Sequence, residues 1–168
     1  RSDLIDLMEA VEDIPGAAMH EGIKWEWESF PEFMDSIDKR TYAVDIGAQM
    51  PHCALRVYVM GERGVNNDFA TQEDIKQMRE LTLESIKAGA LGFSTSRTEL
   101  HNTLTGDPVP GTFAAQDELV GIASALKEAG AGVFQISATH RDMAEEFKWM
   151  RAIAEDTGRM VTFNLQQV

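Results

Sequence analysis

The chain has 168 residues, 43% hydrophobic and 26% charged, the proportions of an ordinary folded domain. Its formal net charge of −13 argues against a nucleic-acid partner, which takes clustered lysine and arginine, and no run approaches the roughly 18 apolar residues of a membrane span. A single cysteine, Cys53, rules out an internal disulfide or a multi-cysteine zinc site, and without a signal-peptide pattern the expected compartment is cytoplasmic.

In chain order, Ser2 can cap a helix through Val11, with Leu4, Ile5, Met8 and Val11 on one stripe. Ser29, with Pro31 in the first turn, starts a second helix that ends near Lys39. Thr41 leads into an expected strand over 42–46. Thr71 opens a long helix to Lys87, with Glu73 and Asp74 in the first turn, where the helix dipole favours acids. Gly89 closes that helix, and a strand follows over 91–94. Residues 101–114 form a long glycine- and proline-rich connection of the kind that is usually functional or disordered. A helix over 115–129, a strand over 132–137, a helix from Asp142 to about Asp156 and a last strand over 160–165 complete the chain. Alternation of this kind predicts parallel βαβ units of the α/β class, here four strands, about half of a (β/α) barrel.

The expected strand ends agree in chemistry. Gln49 and His52 follow the first strand, and Ser94 and Arg97 follow the second. Thr139, His140 and Arg141 follow the third, and Asn164, Gln166 and Gln167 the fourth. In α/β folds ligands gather beyond the carboxyl ends of parallel strands, so four polar ends in succession predict one shared site.

Several separated segments carry a resemblance. G-F-S-T-S-R-T (92–98), V-P-G-T-F-A (109–114) and D-E-L (117–119) resemble the amidohydrolase group that contains the N-acyl-D-amino-acid deacylases. So do H-E-G-I-K-W-E-W (20–27), P-H-C-A-L-R-V-Y-V-M-G (51–61) and A-T-Q-E-D-I (70–75). The resemblance spans nearly the whole chain. It implies a parallel TIM-type barrel, metal-dependent, with a small β-sandwich attached. A complete barrel takes about 250 residues, so residues 1–168 are expected to be the central part of that domain, without its flanks. A metal-binding His-x-His and a cysteine ligand would lie upstream, and a catalytic aspartate downstream.

The family activity implied is hydrolysis of an amide C–N bond in a small acylated amine or cyclic amide. One or two zinc ions would polarise the carbonyl and activate water. T-H-R-D resembles the family's T-H-M-R, whose histidine binds zinc, so His140 is the candidate metal ligand. A histidine hydrogen-bonded at a strand end is the alternative. The family's second histidine, at the end of the next strand, is replaced by F-N-L-Q-Q, with Gln166 or Gln167 near that position. His52 and Arg56, in P-H-C-A-L-R, are candidate substrate contacts, or else a turn cap and a structural arginine. Ser94, Arg97 and His101 complete the candidate substrate-binding set, the last two suited to a carboxylate. Thr98 and Glu99 stand where deacylases often carry a tyrosine. Cys53 and His20 read as packing residues. The rival function is a non-catalytic barrel that has lost its metal and binds a small acidic ligand. Self-association is the remaining partner expectation, through the unpaired edges of a half-barrel.

Overall fold

The computed structural model describes residues 2–12, 14–139 and 141–164. Strands β1 (Met50–Pro51), β2 (Gly92–Ser96), β3 (Val133–Ser137) and β4 (Val161–Phe163) form one parallel sheet in the order β1-β2-β3-β4. Sequence order equals spatial order, the winding of a barrel wall and not of a doubly wound sheet. Helices α4 (His52–Met60), α5 (Glu62–Val65) and α6 (Gln72–Lys87) connect β1 to β2. Helix α7 (Gln116–Ala129) connects β2 to β3, and α8 (Met143–Thr157) connects β3 to β4. Before the sheet come α1 (Ser2–Glu12), α2 (Gly16–Gly22) and α3 (Phe30–Asp38).

The helix starts follow local chemistry. Ser29 accepts from the Glu32 amide while the Glu32 carboxylate accepts from the Ser29 amide, a reciprocal cap with proline in the first turn. Thr71 and Asp74 repeat the device at α6, and Asp142 caps α8. Left-handed Gly130 and Gly158 end α7 and α8.

One face of the sheet is covered. Phe93 and Thr95 of β2 and Phe134 and Ile136 of β3 are buried beneath Met78 of α6, Leu119, Ile122 and Leu126 of α7, and Trp149 and Ile153 of α8. Phe93, Phe134 and Trp149 meet ring to ring, with centroids 5.2 and 6.3 Å apart. β2 and β3 run so close at Gly92 that a Cβ there would lie 2.0 Å from the Val133 carbonyl oxygen. Glycine is required by space.

The expected strand over 42–46 is corrected. Tyr42, Val44 and Ile46 are 42%, 70% and 45% exposed, and the run bends at Ala43 and Val44 without strand pairing. Pairing starts only where β2 supplies a partner: the Leu91 amide donates to the Ala48 carbonyl at 2.8 Å, and Met50 and Pro51 then match Phe93 and Ser94. The other three strands fall on the expected segments, the last described only through Asn164. No helix among the described residues is long and apolar enough to cross a membrane.

Candidate functional site

Strand alternation sends Ser94, Ser96, Gln135, Ser137 and Thr162 to the face opposite the helices. They lie in rows across the sheet: Ser94 is paired with Gln135, Gln135 with Thr162, and Ser96 with Ser137. Asn164 extends the set and accepts from the Ala138 amide at 2.8 Å. A hollow of about 280 Å³ lies against Gln135, Ser137, Thr162 and Asn164. The inner face of a barrel wall usually carries bulky branched side chains that pack into layers. Hydroxyls and amides in that position suit water or a polar ligand instead.

A second cluster lies inside the protein. His52 and Arg56 are each 1% exposed, one turn apart on α4, on the stripe that also buries Leu55 and Met60. The Arg56 guanidinium donates to both carboxylate oxygens of Glu118 at 2.6 Å and to the Asp68 carbonyl at 2.5 Å. Glu118 also meets His52 Nε2 at 2.8 Å, while His52 Nδ1 meets the Thr95 hydroxyl at 2.8 Å. Burial pushes the Glu118 carboxyl up, but the hydrogen bonds from His52 and Arg56 and the Arg56 charge outweigh it, and the net direction is down. Burial pulls the His52 pKa down against the opposing pull of Glu118, so the ring is neutral. An ionised carboxylate only accepts, so Nε2–H donates to Glu118 and Nδ1 accepts from Thr95. Gly111 closes this cluster from above, its absent Cβ 2.8 Å from His52 Nδ1.

Arg97 turns toward the helices. Its Nε and Nη2 donate to the two carboxylate oxygens of Glu146 on α8 at 3.2 and 3.0 Å, and Nη1 donates to the Ala114 carbonyl at 2.7 Å. Its guanidinium carbon stands 5.8 Å from the Trp149 ring centroid. His101 lies at the other side of the strand end, its Nδ1 sharing a 2.8 Å hydrogen bond with the Ser96 hydroxyl. The connection over 101–114 is folded: Asn102 and Pro108 form an antiparallel bridge, and the Val109 amide donates to the His101 carbonyl at 3.2 Å.

The five expected substrate contacts therefore divide. Ser94 and, through Ser96, His101 stand at the open face. His52, Arg56 and Arg97 point inward instead: Glu118 and Thr95 engage His52, Glu118 and the Asp68 carbonyl engage Arg56, whose Nε is buried without a partner, and Glu146 and the Ala114 carbonyl engage Arg97. Glu118 escaped the sequence reading, although an acid next to Leu119 and four positions before Ile122 on an apolar stripe signals a buried partner. Gln135 and Ser137 also escaped it; as the polar alternates of Phe134 and Ile136 they were legible. His140, Gln166 and Gln167 lie outside the described residues. Among the described residues no three His, Cys, Asp or Glu gather as a metal site. They do not make up the donor set of a zinc centre, and no step through a metal follows from them. Burial pushes the Cys53 thiol up to about 12, which leaves it protonated at neutral pH.

The amidohydrolase family model matches residues 2–168. A curated D-aminoacylase of Alcaligenes xylosoxydans xylosoxydans is 28% identical over 157 residues, 94% of this chain but 29% of its own length. A D-aminoacylase crystal structure described as defining a novel subset of amidohydrolases is similar in fold, with a TM-score of 0.62 and 22% identity over 80% of this chain and 26% of that one. A second, from work on the binuclear metal centre of D-aminoacylase, gives a TM-score of 0.64 and 21% identity over 79% of this chain and 26% of that one. The chain thus spans little more than a quarter of the length of the relatives it matches.

Proposed function

The chain belongs to the amidohydrolase family, and from that membership we propose that the protein carrying it is a metal-dependent hydrolase of amide C–N bonds. The substrate class is a small acylated amine, D-aminoacylase-like, with cyclic amides as the neighbouring choice. The observation that carries this reading is the polar open face at the carboxyl ends of β2, β3 and β4. Ser94, Ser96, Gln135, Ser137 and Thr162 offer donors and acceptors in rows, suited to an amide and its flanking polar groups. His101, tied to Ser96, is the proposed contact to a substrate carboxylate. The buried His52–Arg56–Glu118 cluster and the Arg97–Glu146 pair hold the strand ends that present these groups.

Zinc is the proposed ion, with His140 after β3 as one ligand and the others from beyond the described residues. Likeness to a D-aminoacylase with a binuclear metal centre supports a metal. The same likeness weighs against a metal-free binding barrel. The single cysteine, half-buried and protonated, suits a reducing compartment such as the cytoplasm.

The test is release of free amine from N-acyl-D- and N-acyl-L-amino acids and from cyclic amides by the intact protein, before and after chelation and after zinc is restored. Turnover that falls with chelation and returns with zinc supports the proposal. A protein that holds no metal and hydrolyses none of these amides refutes it. In the intact protein, His140→Ala is expected to lower bound zinc by at least one ion per chain and to reduce turnover at least a hundredfold; unchanged metal content removes His140 from the ligand set.

A further inference from the structure

Asn67 stands on left-handed backbone, φ 59°, where the chain leaves α5, and no other non-glycine residue among those described has a positive φ. Asparagine tolerates that conformation better than most side chains. Its amide is fully spent on a segment more than forty positions away. Nδ2 donates to the carbonyls of Pro108 and Val109 at 3.0 and 3.3 Å, and Oδ1 accepts from the Gly111 amide at 2.8 Å. One side chain thus satisfies three backbone groups of the connection after β2. That is the pattern of a strand partner, supplied by a single residue.

The hydrogen bonds continue to the open face. Val109, held by Asn67 at its carbonyl, donates its amide to the His101 carbonyl at 3.2 Å. His101 in turn meets Ser96 at 2.8 Å. Gly111, held at its amide, rests on the buried His52 ring, where φ of +97° and a 2.8 Å approach leave no room for a side chain. Arg97 holds the far end of the segment through Ala114. The tip over 103–107 is closed only by its own groups, with the Thr103 amide on the Asp107 carbonyl and Thr105 on the Asp107 carboxylate. Without Asn67 the Pro108 carbonyl and the Gly111 amide would lose their side-chain partner, and the Val109 carbonyl would keep only the Thr112 amide and hydroxyl at 3.2 and 2.8 Å.

We infer that Asn67 is a positioning residue: it latches the connection after β2 and thereby fixes where His101 stands over the open face. Its effect on substrate rests on the functional reading above; its hold on the segment does not. Asn67 itself touches no reacting group.

Asn67→Gly is the discriminating variant, because glycine takes the left-handed backbone without strain and removes all three bonds. In the intact protein we expect an unchanged melting temperature within about two degrees, and amide exchange over 101–111 faster by ten- to a hundredfold, with exchange in α7 and β3 as in the wild type. KM is expected to rise at least fivefold with kcat changed less than twofold. Asn67→Asp keeps the acceptor for Gly111 but turns a carboxylate toward two carbonyls, and should also accelerate exchange over 101–111. Exchange over 101–111 equal to the wild type in both variants overturns the latch. Faster exchange with unchanged KM overturns the effect on substrate and leaves the hydrolase reading intact. If the wild type hydrolyses no amide, the functional reading falls, and the exchange comparison alone judges Asn67.

Discussion

Arg97 is conspicuous in sequence and engaged inside the fold. A lone arginine after a strand suggests a ligand for a carboxylate, yet the alternation that points Ser94 and Ser96 to the open face sends Arg97 toward the helices, onto Glu146. Removing it leaves a largely buried carboxylate without its partner. Arg97→Ala should therefore cost about 3 kcal/mol of stability, seen as a lower melting temperature, while KM of the folded fraction stays within about twofold. A wild-type melting temperature with KM raised tenfold would return Arg97 to the substrate.

His52 and Arg56 were legible in the same sense, because their spacing of four on α4 puts them on the stripe of Leu55 and Met60, which must face inward. Their partner Glu118 lies 66 and 62 positions away, so its identity needed the fold. Both titrating members of the cluster weaken the protein in acid. His52 sits below its ordinary 6.5, so the unfolded chain gains a proton first and stability falls as pH drops below that value. Glu118 is held below its ordinary 4.5, so its contribution is complete above that value and lost as pH falls through the folded pKa. Denaturation midpoints of His52→Gln should lose the fall that sets in below about pH 6.5 and keep the fall below about 4.5. An unaltered profile would mean that His52 does not titrate against folding.

At the scale of elements, the helices were the most legible parts. Ser29–Glu32, Thr71–Asp74 and Asp142 carry their start signals in a few adjacent residues. Strands β2 and β3 were legible from short apolar runs between turn residues. β1 was misplaced because a β-forming run, 42–46, precedes the stretch that finds a partner. Pairing is set by where β2 begins, which sequence periodicity does not report. The β2–β3 pair makes a sharp prediction. Gly92→Ala would push a methyl group into Val133 backbone atoms at 2.0 and 2.7 Å, and backbone cannot step aside as a flexible side chain can. It should cost about 3 kcal/mol or more, measured by denaturant unfolding. A loss below about 0.5 kcal/mol would mean that the two strands are not in this register.

For the whole molecule, one covered and one open sheet face explain both the wall and the site. The edge at β1 continues into the unpaired run over 42–47, and beside it lies an apolar groove of about 370 Å³ lined by Trp27, Phe33, Met50, Leu55, Tyr58 and Leu81. Residues 1–168 produced alone should self-associate through such surfaces, as judged by sedimentation; a monodisperse monomer that unfolds cooperatively would contradict a barrel wall in need of neighbours. In the proposed function, amide hydrolysis takes place over the open face, with His101 in contact with substrate and the internal cluster only supporting it. Steady-state kinetics of His101→Ala in the intact protein test it most directly. A fall in kcat/KM of ten- to a hundredfold, matching about 1.5–3 kcal/mol for a lost charge-assisted contact, is predicted with the melting temperature unchanged. A wild-type kcat/KM in a fully folded His101→Ala protein would contradict it.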